Sequence, residues 1–324
     1  MAIDIGDFRR RVLLLGAGFS HNWGGRLAWQ VWQDVFGDQG VKQRPAIVEL
    51  LRAEPSFEAA LHVVRTDNNY APEDSAALEA AIMTCFRRMD TRYREPNHRV
   101  ATGTINDFIS KFCPGAVGQA TGYVFSLNQD LLLERIYGVW PDRQKLAYYP
   151  GTRWPGQTPN FPAFEADIPN ATLLDSRAEV PQLRRHFNLI KLHGSMNWRA
   201  DDGSPSMVLG GGKPESIARV PLLAWYQDVF GTVLSAGDVR LMVIGYGWGD
   251  EHINAAIADA VKTRGLTVYI WDTADPRQVL PDRPYGDVIL ASMAGWASDR
   301  MEDVMPREMN ASTAEYERIV SEFF

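Results

Sequence analysis

VLLLGAGFS, residues 12 to 20, sets an unbroken apolar run against a turn that carries two glycines. Continuous rather than alternating hydrophobicity suits a strand covered on both faces, as in a parallel sheet. The same pattern recurs in YVFSLN at 123 to 128, NLIKLHG at 188 to 194, LMVIGYG at 241 to 247 and TVYIWD at 267 to 272. Helical patterns follow several of these runs. After Asp250 the apolar residues Ile253, Ala256, Ile257, Ala260 and Val261 fall at helical spacing, with Asp250 placed to cap the helix. Strand, polar turn and helix in repetition predict an α/β fold, a Rossmann-like doubly wound parallel sheet.

The first two runs are separated by about a hundred residues, far more than an ordinary crossover. That interval is helical in pattern at 46–51, 56–64, 76–89 and 97–112, so the chain reads as one domain, 1–324, with a helical insertion at 31–119. The remainder of the Rossmann-like core is expected at 120–300 and a C-terminal helical tail at 301–324. Proline and aromatic residues crowd 148–170, the composition of a long ordered loop over a site or an interface. Glycine-rich, polar sequence at 200–213 reads as an exposed loop, and no internal repeat is visible.

With 324 residues, 45% apolar and 23% charged, the chain has the composition of an ordinary globular protein and enough length for a sizeable core. A net charge of -7 argues against direct nucleic acid binding through general electrostatics. The arginines at 87, 88, 92, 94 and 99, offset by Asp90 and Glu95, read as a solvated helix face or a subunit contact. The run behind Arg9, Arg10 and Arg11 is too short for a secretory segment, and no later stretch has the length of a membrane span. The expected location is cytoplasmic. Two cysteines, Cys85 and Cys113, make neither a disulfide framework nor a four-thiolate zinc site.

Chemistry concentrates at the ends of the expected strands. Gly16, Ala17, Gly18, Phe19 and Ser20 form a turn where backbone could approach a diphosphate, although His21 stands where the dinucleotide fingerprint has its third glycine. A tight turn without ligand would use the same residues. Gly245, Gly247 and Asp250 repeat the arrangement after a later strand, and Asp272 ends another, where a carboxylate can accept from ribose hydroxyls or simply close a turn. Ser126, Asn128 and Asp130 alternate in SLNQD at an otherwise apolar junction. His193 follows a strand, whereas His62 and His252 fall in helical patterns. No pair of histidines has metal-ligand spacing with carboxylates or thiols, so no metal is expected.

GAGFS at 16–20, SLNQD at 126–130, KLHGSMNW at 191–198 and IGYGWGDEHI at 244–253 come in the order found in the sirtuin superfamily. The chain resembles most closely its bacterial sirtuin-like NAD-hydrolysing branch, associated with anti-phage defence. The resemblance implies that NAD is the substrate, cleaved to nicotinamide and ADP-ribose. It implies that Asn128 holds the reacting ribose and its attacking water, that Asp130 helps bind the nicotinamide carboxamide, and that Ser126 stands in the place of the family's threonine. His193 matches the catalytic histidine. GAGFS would cradle the diphosphate, and the GYGWGD loop with Asp272 would hold the adenosine side. Protein-deacylating sirtuins carry a four-cysteine zinc module and a Gly-Ile-Pro-Asp-Phe-Arg segment; this chain has neither, continuing instead as HNWGGRLAW. The resemblance also implies control by homo-oligomer assembly or by a separate partner such as a HerA-type ATPase or a prokaryotic Argonaute. A non-catalytic NAD or ADP-ribose sensor and an ADP-ribosyltransferase are the alternatives.

Overall fold

A computed structural model describes residues 3, 5–94, 102–113, 121–138, 147–148, 166–176, 187–307 and 312–324. Among the described residues there are ten strands: β1 (Phe8–Leu15), β2 (Thr121–Ser126), β3 (Ala147–Tyr148), β4 (Ala166–Asp167), β5 (Phe187–Lys191), β6 (Gly194–Arg199), β7 (Pro205–Met207), β8 (Arg240–Ile244), β9 (Thr267–Trp271) and β10 (Met293–Ala297). Seven of them form the main sheet in the order β10-β9-β8-β1-β2-β5-β3, every neighbouring pair parallel, with β3 a two-residue edge. The five runs read from the sequence are its contiguous centre. The architecture is the expected doubly wound α/β fold.

β1 shows why its hydrophobicity is continuous. Leu13 and Leu15 face one core with the helices between β1 and β2, while Val12 and Leu14 face another with the helices Pro221–Leu234 and Glu251–Arg264. A strand alternates its side chains between faces, so a sheet covered on both sides needs apolar residues at every position. The helices between β1 and β2 include Ala28–Phe36, Phe57–Thr66, Pro72–Arg94 and Thr102–Lys111. Phe57, Ala60, Leu61 and Val64 sit on one face at helical spacing, and Ser56 Oγ accepts from Ala59 N at 3.2 Å to cap that helix. This insertion is one layer of the molecule, sharing its core with the sheet. The C-terminal helix Ala314–Phe323 joins the same layer through Tyr316, Ile319 and Phe323, which makes the tail a core element.

Register brings the motifs to one edge. Leu15 pairs with Ser126 and with Ile244; Ser126 pairs with Lys191, and Ile244 with Trp271. The residues that follow each strand therefore emerge together: Gly16, Leu127 and Asn128, Leu192 and His193, Gly245, and Asp272. The chain runs from β1 outward to β2 and β5, then returns to β8 on the other flank of β1. That reversal creates a switch point between β1 and β8, where ligands bind in open α/β sheets.

Residues 200–213 are in part the exposed loop expected, with 201–205, Gly211 and Gly212 exposed, and in part built into the fold. β6 and β7 pair antiparallel in a small second sheet with β4, Ser206, Val208 and Leu209 are buried, and a Cβ on Gly211 would meet the His62 ring at 2.8 Å. Gly210 and Gly211 answer to close packing against the helix Phe57–Thr66, a demand that composition does not distinguish from solvent exposure. Of the expected loop at 148–170, most lies outside the described residues. Arg87, Arg88, Arg92 and Arg94 are exposed, as expected of a solvated face, and Arg99 lies outside the described residues. Asp90 turns inward, where Arg135 Nε and Nη2 grip its carboxylate at 2.6 and 2.8 Å.

Candidate active site

Two glycine turns meet at the switch point. Gly16 N donates to Ile244 O at 2.9 Å, Gly18 N to Gly245 O at 3.0 Å, and Gly245 N to Trp271 O at 3.1 Å. A Cβ on Gly18 would lie 2.7 Å from Gly245 Cα, and Gly245 itself has φ +59°. Backbone thus packs on backbone, which only glycine permits. The turn is accounted for structurally: the N–H groups of Gly16, Gly18 and Phe19 are all engaged within the protein. Phe19 is a core residue against Trp23, and Ser20 is buried.

The turns separate two adjoining cavities. The larger, about 920 Å³, is bounded by Gly16, Asn128, Asp130, His193, Asp250 and the insertion helices. The smaller, about 520 Å³, is bounded by Gly18, Asp272 and Thr273 together with Asp299, Arg300 and Glu302. Ala17, Ala28, Gly245 and Gly247 line both. Asp250 therefore lies on the His193 side and Asp272 on the other, while Gly247, with nothing near its absent Cβ, opens onto both.

The SLNQD segment leaves β2 as a knot of hydrogen bonds. Ser126 Oγ accepts from Asn128 N at 3.1 Å, and Asn128 Nδ2 donates to Gly16 O and to Ser20 Oγ, each at 2.9 Å. Both amide hydrogens are engaged, which leaves Oδ1 as the acceptor on a side chain that lines the larger cavity. Asp130 Oδ1 accepts from Leu132 N at 2.9 Å and so caps the helix Leu132–Gly138, while the residue also borders the cavity. Burial raises the Asp130 carboxyl above its usual range, with the Lys191 ammonium the strongest opposing influence.

Lys191, the one charged residue in the apolar run of β5, is buried beneath this segment. Its Nζ donates to Asp130 O at 2.6 Å, Glu134 Oε1 at 2.8 Å and Ser195 Oγ at 2.9 Å, using all three ammonium hydrogens. The ion pair with Glu134 is almost wholly withdrawn from water, with side-chain exposures of 2% and 4%. It ties the segment after β2 to the segment after β5.

His193 meets a residue that helical patterning had set aside. His252, on the first turn of the helix Glu251–Arg264, brings its Nε2 to 3.1 Å from Nε2 of His193. Burial lowers His193 to about 3, so the ring is neutral well into acid; the near-neutral titration expected of a solitary base is displaced by desolvation. Burial lowers His252 as well, opposed by Asp250. Asp250 occupies the N-cap position, but its side chain does not cap the helix; Oδ1 binds Lys213 Nζ at 2.7 Å. Lys213 also binds Glu58 of the insertion at 2.8 Å. Although burial opposes its charge, the two carboxylates raise the Lys213 ammonium above its ordinary value.

His193, Asp250 and His252 have ligand atoms within 4.8 Å of one another, a juxtaposition that sequence spacing does not reveal. The arrangement suits shared protons better than a cation. The two imidazole nitrogens face each other, and Asp250 already carries an ammonium. His252, Lys213, Glu58, Lys191 and Glu134 were missed by motif reading. A lysine inside a buried strand run was the one available signal, because such a charge requires a partner. No protein-family model matches the chain, and no curated protein matches its sequence.

Proposed function

We propose that the protein is an NAD glycohydrolase that releases nicotinamide and ADP-ribose. The observation that carries this reading is the grouping of Asn128, Asp130 and His193 around one cavity, joined across two glycine turns to a second cavity bordered by Asp272. Cavities of these sizes are in the range that holds a small ligand. The nicotinamide riboside half occupies the larger and adenosine the smaller, with the diphosphate passing Ala17 and Gly247.

Nicotinamide leaves a pyridinium as a neutral molecule, so the leaving group needs no general acid. The reaction needs stabilisation of an oxocarbenium-like ribose and an oriented water. Asn128 Oδ1 accepts a hydrogen bond from that water, leaving a water lone pair directed at the anomeric carbon; as the C–O bond forms, the C–N electron pair leaves with nicotinamide and the water's proton is lost to solvent. Neutral His193 accepts from a ribose hydroxyl, and the Asp250 carboxylate nearby stabilises positive charge as it develops.

The test is nicotinamide release by purified protein over a concentration series, with Asn128→Ala and His193→Ala alongside. Release abolished by both substitutions is the expected result. Undiminished release from Asn128→Ala would overturn the reading. A steep dependence on concentration would support control by self-assembly, and addition of a HerA-type ATPase or an Argonaute partner tests control in trans. NAD binding without release would favour a non-catalytic sensor, a reading to which the engaged state of both Asn128 Nδ2 and His193 Nε2 lends support. Label transferred from NAD to macromolecule would indicate an ADP-ribosyltransferase. Depletion of NAD during phage infection is the cellular role proposed for the activity.

A further inference from the structure

The His193–His252 contact constrains where hydrogens lie. Two imidazole nitrogens 3.1 Å apart attract only when one bears a hydrogen and the other a lone pair; two bare or two protonated nitrogens repel. The rings, with centroids 5.2 Å apart and planes at 47°, therefore hold one hydrogen in common. The reaction proposed for the cavity selects its owner. His193 accepts from a ribose hydroxyl only through a ring nitrogen that carries a lone pair, and its Nε2 is the atom directed at His252. The hydrogen of neutral His193 then belongs on Nδ1, and Nε2 carries the lone pair.

We propose that His252 is a positioning residue for His193: its Nε2–H donates to His193 Nε2, fixes the Nδ1-protonated tautomer, and makes the two rings titrate as a pair. On ligand entry a ribose hydroxyl takes over as the donor to the same lone pair. Binding then replaces one hydrogen bond by another, and no proton changes carrier. The charged groups that face the pair are Asp250, Lys213 bound to Asp250, and Glu58 bound to Lys213. Lys213 and a protonated His252 both disfavour charge on His193, and Asp250 favours it. Removal of the His252 ring therefore moves protonation of His193 to higher pH.

The role in turnover, and with it the choice of owner, rests on the glycohydrolase reading; the sharing of a hydrogen does not, and two measurements separate them. Long-range proton–nitrogen correlation spectra of the ligand-free, full-length protein should show His193 with a protonated Nδ1 and a bare Nε2. The His252→Gln amide, which can still donate, should preserve that tautomer, and His252→Ala should give a tautomer mixture. A His193 protonated at Nε2, or one whose resonances ignore His252→Ala, overturns the inference whether or not the protein turns over NAD. In the kinetic measurement His252→Ala should lower kcat about tenfold and shift the acid limb of kcat/KM to higher pH, with His252→Gln within a fewfold of wild type. Wild-type kcat and an unmoved limb in an active His252→Ala enzyme would overturn the positioning role. Absence of nicotinamide release from wild type would count against the glycohydrolase reading alone, because the spectra still decide the pairing.

Discussion

The two cavities beside the glycine turns are built by opposite means. The larger is walled by buried and half-buried polar side chains from separate parts of the chain, each already engaged: Asn128 on Gly16, His193 on His252, Lys213 on Glu58 and Asp250. The smaller has Asp272, whose Oδ1 accepts from its own neighbour Ala274 N at 3.0 Å, and a rim that includes Asp299, Arg300 and Glu302. Prearranged, desolvated groups suit chemistry, because they need little reorganisation when charge develops. Locally held, accessible groups suit recognition. On the proposed function, bond cleavage belongs to the first cavity and grip on the far end of the ligand to the second.

Asn128→Ala is the substitution that should separate the two most sharply. It removes the Oδ1 acceptor and two hydrogen bonds, and turnover should fall by about a thousandfold or more while NAD still binds. Rates of nicotinamide release beside calorimetric affinities check this. A comparable loss of affinity would show that the larger cavity also supplies the grip.

Lys191→Met should leave Glu134 buried without its cation, at a cost of about 3–5 kcal/mol in urea unfolding. Because Lys191 also holds the Asp130 carbonyl, turnover should fall with it. Adding Glu134→Gln should return part of the stability, since an amide is far cheaper to bury than an unpaired carboxylate. Asp272→Ala should raise KM about tenfold with kcat nearly unchanged, the signature of binding lost equally from ground and transition states. Were kcat to fall instead, the division between the cavities would break.

The last prediction concerns acid. His193 is depressed by burial from 6.5 in the unfolded chain to about 3, so the unfolded state binds the extra proton first. The stability this neutral ring contributes is present above pH 6.5 and is lost as pH falls toward 3, with a slope of up to about 1.4 kcal/mol per pH unit. His193→Gln should flatten that part of the stability curve between pH 6 and 4, measured by urea unfolding. An unchanged slope would place the acid sensitivity elsewhere.

The sequence revealed the first layer of this organisation and concealed the second. Five central strands were legible because burial on both faces requires apolar residues at successive positions, as in Val12 to Leu15. β10 was not, because Met293, Gly295 and Trp296 are only partly buried and Ala294 is exposed at the sheet edge, so the strand lacks that density. Asn128, Asp130 and His193 were legible as polar residues at strand ends. His252 and Lys213 were not, since their roles depend on the return of the chain from β5 across β1 to β8. That return makes neighbours of residues 59 positions apart, His193 and His252. Glycine alone does not say which demand it meets: Gly16 and Gly18 serve the packing of two turns, and Gly211 packs on the His62 ring.

The most direct measurement is a crystal structure of Asn128→Ala protein soaked with NAD. Intact NAD should span both cavities, with nicotinamide and its ribose beside Asp130 and His193 and the adenosine ribose hydroxyls on Asp272. Adenosine in the larger cavity, or a nucleotide confined to the smaller one, would contradict it.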